Sequence, residues 1–375
     1  MSKIEELVER FNKYPKYLDQ GAGKLANQFE CTKEEVREAK RVVRKGPSFK
    51  EFLRINGIKP SQVRKTKYWQ NFNGEQRYSV DTNPIVEEWK KDFFEALKDY
   101  KTPEVKSLMS DPNAVIAVLN LYDAHLDKLT LLSETSQESS LEGNIASFES
   151  AFDEMLTSAR TYCPEYIIIP VGNDFFNNNG TSGATKKGTP QDNLVKHQDA
   201  FIEGFKAIRR CIDKAAQCSK VIVMTIKGNH DEDPTFYLGE ILNAIYENNP
   251  NILIDCSRHQ RKYFRYGANL LGFAHGDKEC RNISNLPLMM AEEKKEDWAT
   301  TKYREWFLGD RHHKFEYKFM RTKDFIGATV RFLRSVGTSD KWHYDHGYLG
   351  IPRTGEVYIY DKLKGPRANY LIHLE

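Results

Sequence analysis

The stretch KVIVMTIKGNHDE, residues 220–232, passes from an apolar, β-branched run straight into glycine, asparagine, histidine and two acids. A run of this kind reads as a buried strand. Gly and Asn close strands routinely, so a turn accounts for this one segment taken alone. The same change recurs along the chain. AVIAVLNLYD (114–123) runs on into AHLDK, YIIIPVGND (166–174) ends on an acid, and ANLLGFAHGD (268–277) ends on a histidine and an acid. Helical patterns separate these runs, among them NIASFESAFDEMLTSARTY (144–162) and DNLVKHQDAFIEGFKAIRRCIDKAAQCS (192–219). The alternation predicts an α/β domain with buried strands, and ligands in such folds sit at the carboxyl ends of the strands.

Each end carries groups that ligate metals. Asp123 and His125 follow the first strand, Asp174 the second, Asn229 and His230 the third, and His275 the fourth. A later segment, FLGDRHHKFE, adds Asp310, His312 and His313. Five of the ten histidines fall in these motifs, a concentration that argues for a common purpose. Carboxylates with imidazoles suit hard-to-borderline divalent cations. A two-metal centre needs one bridging carboxylate and separate ligands on either side. An Asn carbonyl binds metal without adding negative charge against an anionic substrate.

The order DxH, GND, GNHD, HG and a final GxxH resembles the calcineurin-like metallophosphoesterase superfamily, closest to its exonuclease-type and phage-type branch, over about residues 112–375. The resemblance implies an α/β fold, a β-sandwich flanked by helices (αββα), holding two divalent ions. Mn²⁺ is expected first, with Mg²⁺, Fe²⁺ and Zn²⁺ as alternatives. It implies that Asp123, His125 and His312 hold one ion, that Asp174 bridges, and that Asn229 and His275 hold the other. His230 becomes the non-ligand histidine near the leaving-group oxygen, with Asp231 orienting it. Two positions depart from the family pattern. Asp310 stands where a second-metal histidine is usual, and Asp127 where glycine is usual.

The rest of the chain bounds the partners. Between Lys40 and Arg77 eleven basic residues face only Glu51 and Glu75, interleaved with Tyr68, Trp69 and Phe72. Such a stretch suits a polyanion. Thr32 followed by Glu35 is a capping box for a helix carrying Lys40, Arg41 and Arg44. The tight turn before it fits a helix-turn-helix, though a helical packing hairpin fits the same spacing. The expected organisation is a small helical domain at 1–46, a basic linker and connecting helix at 47–111, and the catalytic domain at 112–375. The polar loop FFNNNGTSGATKKGTPQDN (175–193) reads as surface rather than core, and its Lys186 and Lys187 are placed to meet phosphate oxygens. Arg64, Lys65 and Lys67 are the linker's candidates for nucleic-acid contact.

No apolar run approaches the roughly 20 residues needed to cross a membrane, and the first residues lack a signal-peptide core. Six scattered cysteines read as reduced thiols of a cytoplasmic protein. The expected function is a two-metal phosphodiesterase, foremost an exonuclease-like DNA nuclease with DNA as its partner. A phosphodiesterase or phosphatase acting on a small or cyclic nucleotide fits the same site. So does a DNA-binding protein whose metallophosphoesterase domain is inactive, a reading that Asp310 motivates.

Overall fold

The computed structural model describes residues 3–45, 49, 50, 53, 63–70, 76–82, 100–103, 114–135, 137–310, 322–339, 341–345 and 352–374. The chain divides into two compact units, Met1–Asp99 and Tyr100–Glu375. The expected helix at 84–101 lies almost wholly outside the described residues, as do His312 and the side chains of Arg44, Arg64 and Lys65.

In the first unit, α1 (Lys3–Lys13), α2 (Ala22–Gln28) and α3 (Lys33–Lys45) enclose a core of Leu7, Phe11, Leu25, Phe29, Val36 and Ala39. The capping box is formed: Thr32 N–H donates to Glu35 Oε2 (2.7 Å), and Glu35 N–H donates to Thr32 Oγ1 (3.2 Å). Lys40 turns inward and donates to the carbonyls of Leu18 and Gln20. Arg41 pairs with Glu38 one turn back. Within the stretch read as a linker, β1 (Val63–Gln70) and β2 (Gln76–Thr82) form an antiparallel hairpin, on which Lys67 and Tyr68 are exposed.

The second unit is mixed α/β with two sheets. Its first half runs β3 (Val115–Asn120), α4 (Leu141–Arg160), β4 (Tyr166–Gly172), α5 (His197–Ala216), β5 (Lys220–Ile226), α6 (Glu232–Tyr246) and β6 (Ile252–Asp255). Then come β7 (Lys262–Tyr266), β8 (Asn269–Ala274), α7 (Leu286–Glu293), β9 (Tyr303–Leu308), β10 (Thr322–Phe325), β11 (Ala328–Phe332), β12 (Thr354–Asp361) and β13 (Gly365–His373). One sheet has the order β13-β12-β3-β4-β5-β6, parallel from β3 to β6. The other has the order β10-β11-β9-β8-β7, parallel across β8, β9 and β11.

Alternation along the strands makes the sandwich. Ile116, Val118, Ile222, Met224, Tyr358 and Tyr360 of the first sheet meet Leu271, Phe273 and Phe307 of the second in one buried cluster. The intervening residues of the second sheet, Leu270, Ala274, Trp306 and Leu308, turn the other way onto Leu286 and Met290 of α7. Helices α4, α5 and α6 bury one face each against the first sheet. The layers are therefore helix, sheet, sheet, helix. Among the described residues no helix is long and apolar enough to cross a membrane.

Phe307 ties the two sheets together. It is fully buried, stacks on Phe273 with centroids 5.3 Å apart, and meets Tyr358 at 5.1 Å. Truncation leaves a cavity that rigid sheets cannot close, so Phe307→Ala is expected to cost about 3–5 kcal/mol. Urea unfolding followed by near-ultraviolet circular dichroism checks this. A loss below about 1 kcal/mol would show that the sheets are not coupled through this ring.

Candidate metal centre

The loops at the ends of β3, β4 and β5 are laced to one another by backbone hydrogen bonds. Asp123 N–H donates to Asn173 O (2.9 Å), His125 N–H to Asp174 O (2.9 Å) and Asn173 N–H to Ile226 O (2.7 Å). The second sheet closes the far side, where Gly309 N–H donates to His275 O (2.7 Å). Seven non-glycine residues among those described have positive φ, and five lie here: Asp123 (54°), His125 (43°), Asn173 (55°), Asp174 (59°) and Asp310 (61°). Such backbone is uncommon outside glycine and gathers where function holds it.

These loops bring Asp123, Asp174 and His275 together, with ligand atoms within 4.8 Å of one another and all three side chains buried. His275 Nε2 lies 3.1 Å from Asp174 Oδ2, 3.0 Å from Asn229 Oδ1 and 3.7 Å from Asp310 Oδ1. His275 Nδ1 lies 3.9 Å from Asp123 Oδ1. The His125 and His230 rings meet edge to face, 4.7 Å between centroids. Asp123, His125, Asp174, Asn229, His230, His275 and Asp310 thus occupy one neighbourhood.

Gly228 is explained by space. A Cβ there would stand 1.8 Å from Asp174 Oδ1, so any side chain would displace the central carboxylate.

The electrostatics favour a cation. Burial by itself lowers the His275 imidazole, but Asp174, Asp123 and Asp310 together hold it well above its ordinary range. Burial likewise works to raise Asp174, and His275 foremost holds it below the usual carboxylate range. Three carboxylates thus crowd one buried imidazole. Burying carboxylates is costly unless positive charge lies beside them. A divalent cation supplies that charge, so the donor set fits a metal of the oxygen- and imidazole-binding kind.

Two sequence expectations need correction. Asp231 does not orient the His230 ring. Its carboxylate faces away, accepting N–H groups from Phe175 (2.8 Å), Gly228 (3.1 Å), Asp174 (3.3 Å) and Phe176 (3.3 Å). Burial first, and the Asp174 charge second, push this carboxyl up to about 7. The His230 ring is held by Asn177, whose carbonyl oxygen lies 3.0 Å from Nδ1. That oxygen only accepts, so Nδ1 carries the proton. The second correction concerns the loop after Asp174. Its first four residues, Phe175, Phe176, Asn177 and Asn178, are buried. The phenylalanines pack on Phe148 and Phe201.

The buried asparagines explain Asp127. Its carboxylate, fully buried, accepts Asn177 N–H (3.0 Å) and Asn178 Nδ2–H (3.1 Å). Glycine there would leave both donors without this acceptor. Asp127 stands out in the sequence, but its partners lie 50 and 51 residues away, beyond any local signal. Of the candidate phosphate contacts on this loop, Lys187 is exposed, and Lys186 pairs with Glu232 at 2.5 Å.

Two measurements check the centre and its support. Mn²⁺ at a hundredfold excess over its Kd raises stability by about 2.7 kcal/mol. Differential scanning fluorimetry reads the upward Tm shift, which is absent in Asp174→Asn and His275→Ala. Asp127→Ala leaves buried donors unsatisfied and costs about 1–3 kcal/mol, measured by urea unfolding. A neutral result would mean the loop's amides find other acceptors.

No family model matches the chain, and no curated protein matches it. Among solved structures similar to it is "Crystal structure of Chaetomium thermophilum Vps29", 11% identical, covering 70% of this chain and 98% of that one, with a TM-score of 0.27. So slight a likeness carries no weight for function, which is read from the sheets and the site themselves.

Proposed function

We propose that the second unit is a metal-dependent phosphodiesterase of the calcineurin-like kind, and that its substrate is nucleic acid, foremost DNA. One observation carries the reading: Asp123, Asp174 and His275, from strand ends of two sheets, converge within 4.8 Å with Asn229 and His230 beside them. Asp123, His125, Asp174, Asn229, His275 and Asp310 are the described residues that would hold the ions. When bound, divalent ions supply Lewis acidity toward phosphate oxygens and bring the pKa of water toward neutrality. The charge on the donor set favours two ions over one. Three carboxylates outweigh a single divalent cation and are outweighed by two, and an anionic substrate needs the latter. The oxygen-rich set favours Mn²⁺ or Mg²⁺ over softer ions.

The chain's own contribution to proton movement is His230. Its Nδ1–H is fixed on the Asn177 carbonyl, which leaves Nε2 to exchange a proton with the departing oxygen. His230 N–H also donates to Asp174 Oδ1 (2.8 Å), so ring and central carboxylate are placed by one short segment. The excess of basic over acidic residues between Lys40 and Arg77 supports a polyanionic substrate. Lys40 is engaged by backbone carbonyls, whereas the Arg41–Glu38 pair is exposed and exchanges readily for phosphate.

The test is hydrolysis by the full chain with Mn²⁺, Mg²⁺, Zn²⁺ or chelator, on end-labelled single- and double-stranded DNA and on a chromogenic diester. Cleavage of DNA with Mn²⁺ and its loss with chelator are expected. His230→Ala should lower kcat about 10²- to 10⁴-fold while keeping the metal-induced Tm shift. Asp174→Asn should lose both. Turnover of the small diester without DNA cleavage would move the reading to a nucleotide phosphodiesterase. Metal binding without turnover on any substrate would leave the inactive-domain reading.

A further inference from the structure

Three lysines rise beside the carboxylate cluster, each from a different loop. Lys227 precedes Asn229 by two residues, and Lys278 follows His275 by three. Lys186 arrives from the loop after β4, where its backbone N–H donates to the Asn229 carbonyl (3.3 Å). Asn229 and His275 are 3.0 Å apart, so the roots of the three lysines gather at one end of the cluster.

Glu232, in the first turn of α6, is the carboxylate beside Lys186. The Lys186 ammonium pairs with it at 2.5 Å. Burial works to raise this carboxyl, yet Lys186 and then Lys227 and Lys278 hold it below its ordinary range. Lys227 donates to the Arg258 carbonyl (3.2 Å) and Lys278 to Gln260 Oε1 (3.2 Å), both neutral acceptors. Among the described residues neither lysine has an ion pair. Lys186 is thus the lysine of the three that pairs with a carboxylate, while Lys227 and Lys278 both reach the 258–260 segment and meet only neutral acceptors there. Lys186 and Lys278 are exposed, so a ligand reaches them without opening the fold.

We infer that Lys186, Lys227 and Lys278 form a second phosphate subsite, taking the phosphate next to the scissile one in a nucleic-acid strand, and that Glu232 is the placeholder this phosphate displaces. The inference rests on the phosphodiesterase reading above and extends it to the substrate's length. Lysines are mobile point charges that suit a phosphate whose orientation varies with the strand. Exchange of a partly exposed ion pair for a phosphate costs little, because such a pair contributes little by itself. The inference also separates substrate classes, since a strand brings a second phosphate for the lysines and a diester with one phosphate does not.

The experiment uses the full chain with Mn²⁺ and two substrates, the p-nitrophenyl ester of thymidine 5′-monophosphate and the trinucleotide TpTpT. The quantity read is the ratio of kcat/KM for trinucleotide over ester. Lys227→Ala with Lys278→Ala should lower that ratio about tenfold and flatten the salt dependence of trinucleotide binding by roughly one unit per lysine. Glu232→Gln should raise the ratio, an effect of opposite sign that loss of folding cannot mimic. A ratio unmoved by either change overturns the subsite. If the wild-type chain cleaves neither substrate, the proposed chemistry fails while the subsite is still tested. Fluorescence anisotropy of labelled TpTpT must then weaken in the double lysine variant and tighten in Glu232→Gln, and equal binding in all three proteins overturns it. ADP serves as competitor. Displacement by ADP at the same concentration as unlabelled TpTpT overturns the strand assignment in favour of a diphosphate, and weaker displacement supports it.

Discussion

Two buried carboxylates held against one imidazole set the terms for everything around them. Asp123, Asp174 and His275 are almost without solvent, and such a group is tolerated only where charge and hydrogen bonds are supplied from within. The surrounding backbone meets that demand. His230 N–H serves Asp174, and the Asp231 carboxylate in turn gathers the N–H groups of Asp174, Phe175, Phe176 and Gly228. With Gly228 lacking a side chain, the GNHD segment lies directly against the central carboxylate. The motif is thus a packing solution, fitted to the central carboxylate by its backbone.

The sandwich is what lets the two halves of the cluster meet. Asp123, Asp174 and Asn229 follow strands of the six-stranded sheet, whereas His275 and Asp310 follow β8 and β9 of the other. Their relative position is fixed just beneath, where Phe273 of β8 and Phe307 of β9 stack against each other and Phe307 meets Tyr358 of β12. His275 stands two residues beyond Phe273, and Asp310 three beyond Phe307. A slip of one residue in either strand would turn those aromatics out of the core and carry His275 or Asp310 away with them.

Apolar runs that end in acids and histidines are conspicuous in a sequence, because the change in composition is abrupt and each run is complete in itself. Four such ends located the neighbourhood of Asp123, Asp174, Asn229 and His275. What escaped was everything decided by pairing across distance. The carbonyl of Asn177 holds the His230 ring, and a backbone acceptor leaves no mark on residue type. Asp231, adjacent to His230, was expected to serve it, but its carboxylate serves residues 55 to 57 positions earlier. The run FFNN read as surface on composition, yet Asp127 and Asn193 satisfy its amides and make burial tolerable. The hairpin at 63–82 was hidden because its strands are polar and its partner contacts lie within a basic stretch.

The left-handed backbone at five of these residues is the remaining link between fold and chemistry. Asp123, His125, Asn173, Asp174 and Asp310 each adopt a conformation that L-residues avoid. Four of them lie in two loops tied by hydrogen bonds from Asp123 and His125 to Asn173 and Asp174, while Asn173 is tied onward to Ile226. Ser335 Oγ–H and Gly337 N–H reach the Asp123 carbonyl from a third direction (2.8 and 3.1 Å). Strain of this kind persists only where neighbouring contacts over-determine it. Here those contacts come from the hydrogen bonds that join the loops after β3 and β4 to Ile226, Ser335 and Gly337, so the fold itself fixes where the carboxylates point.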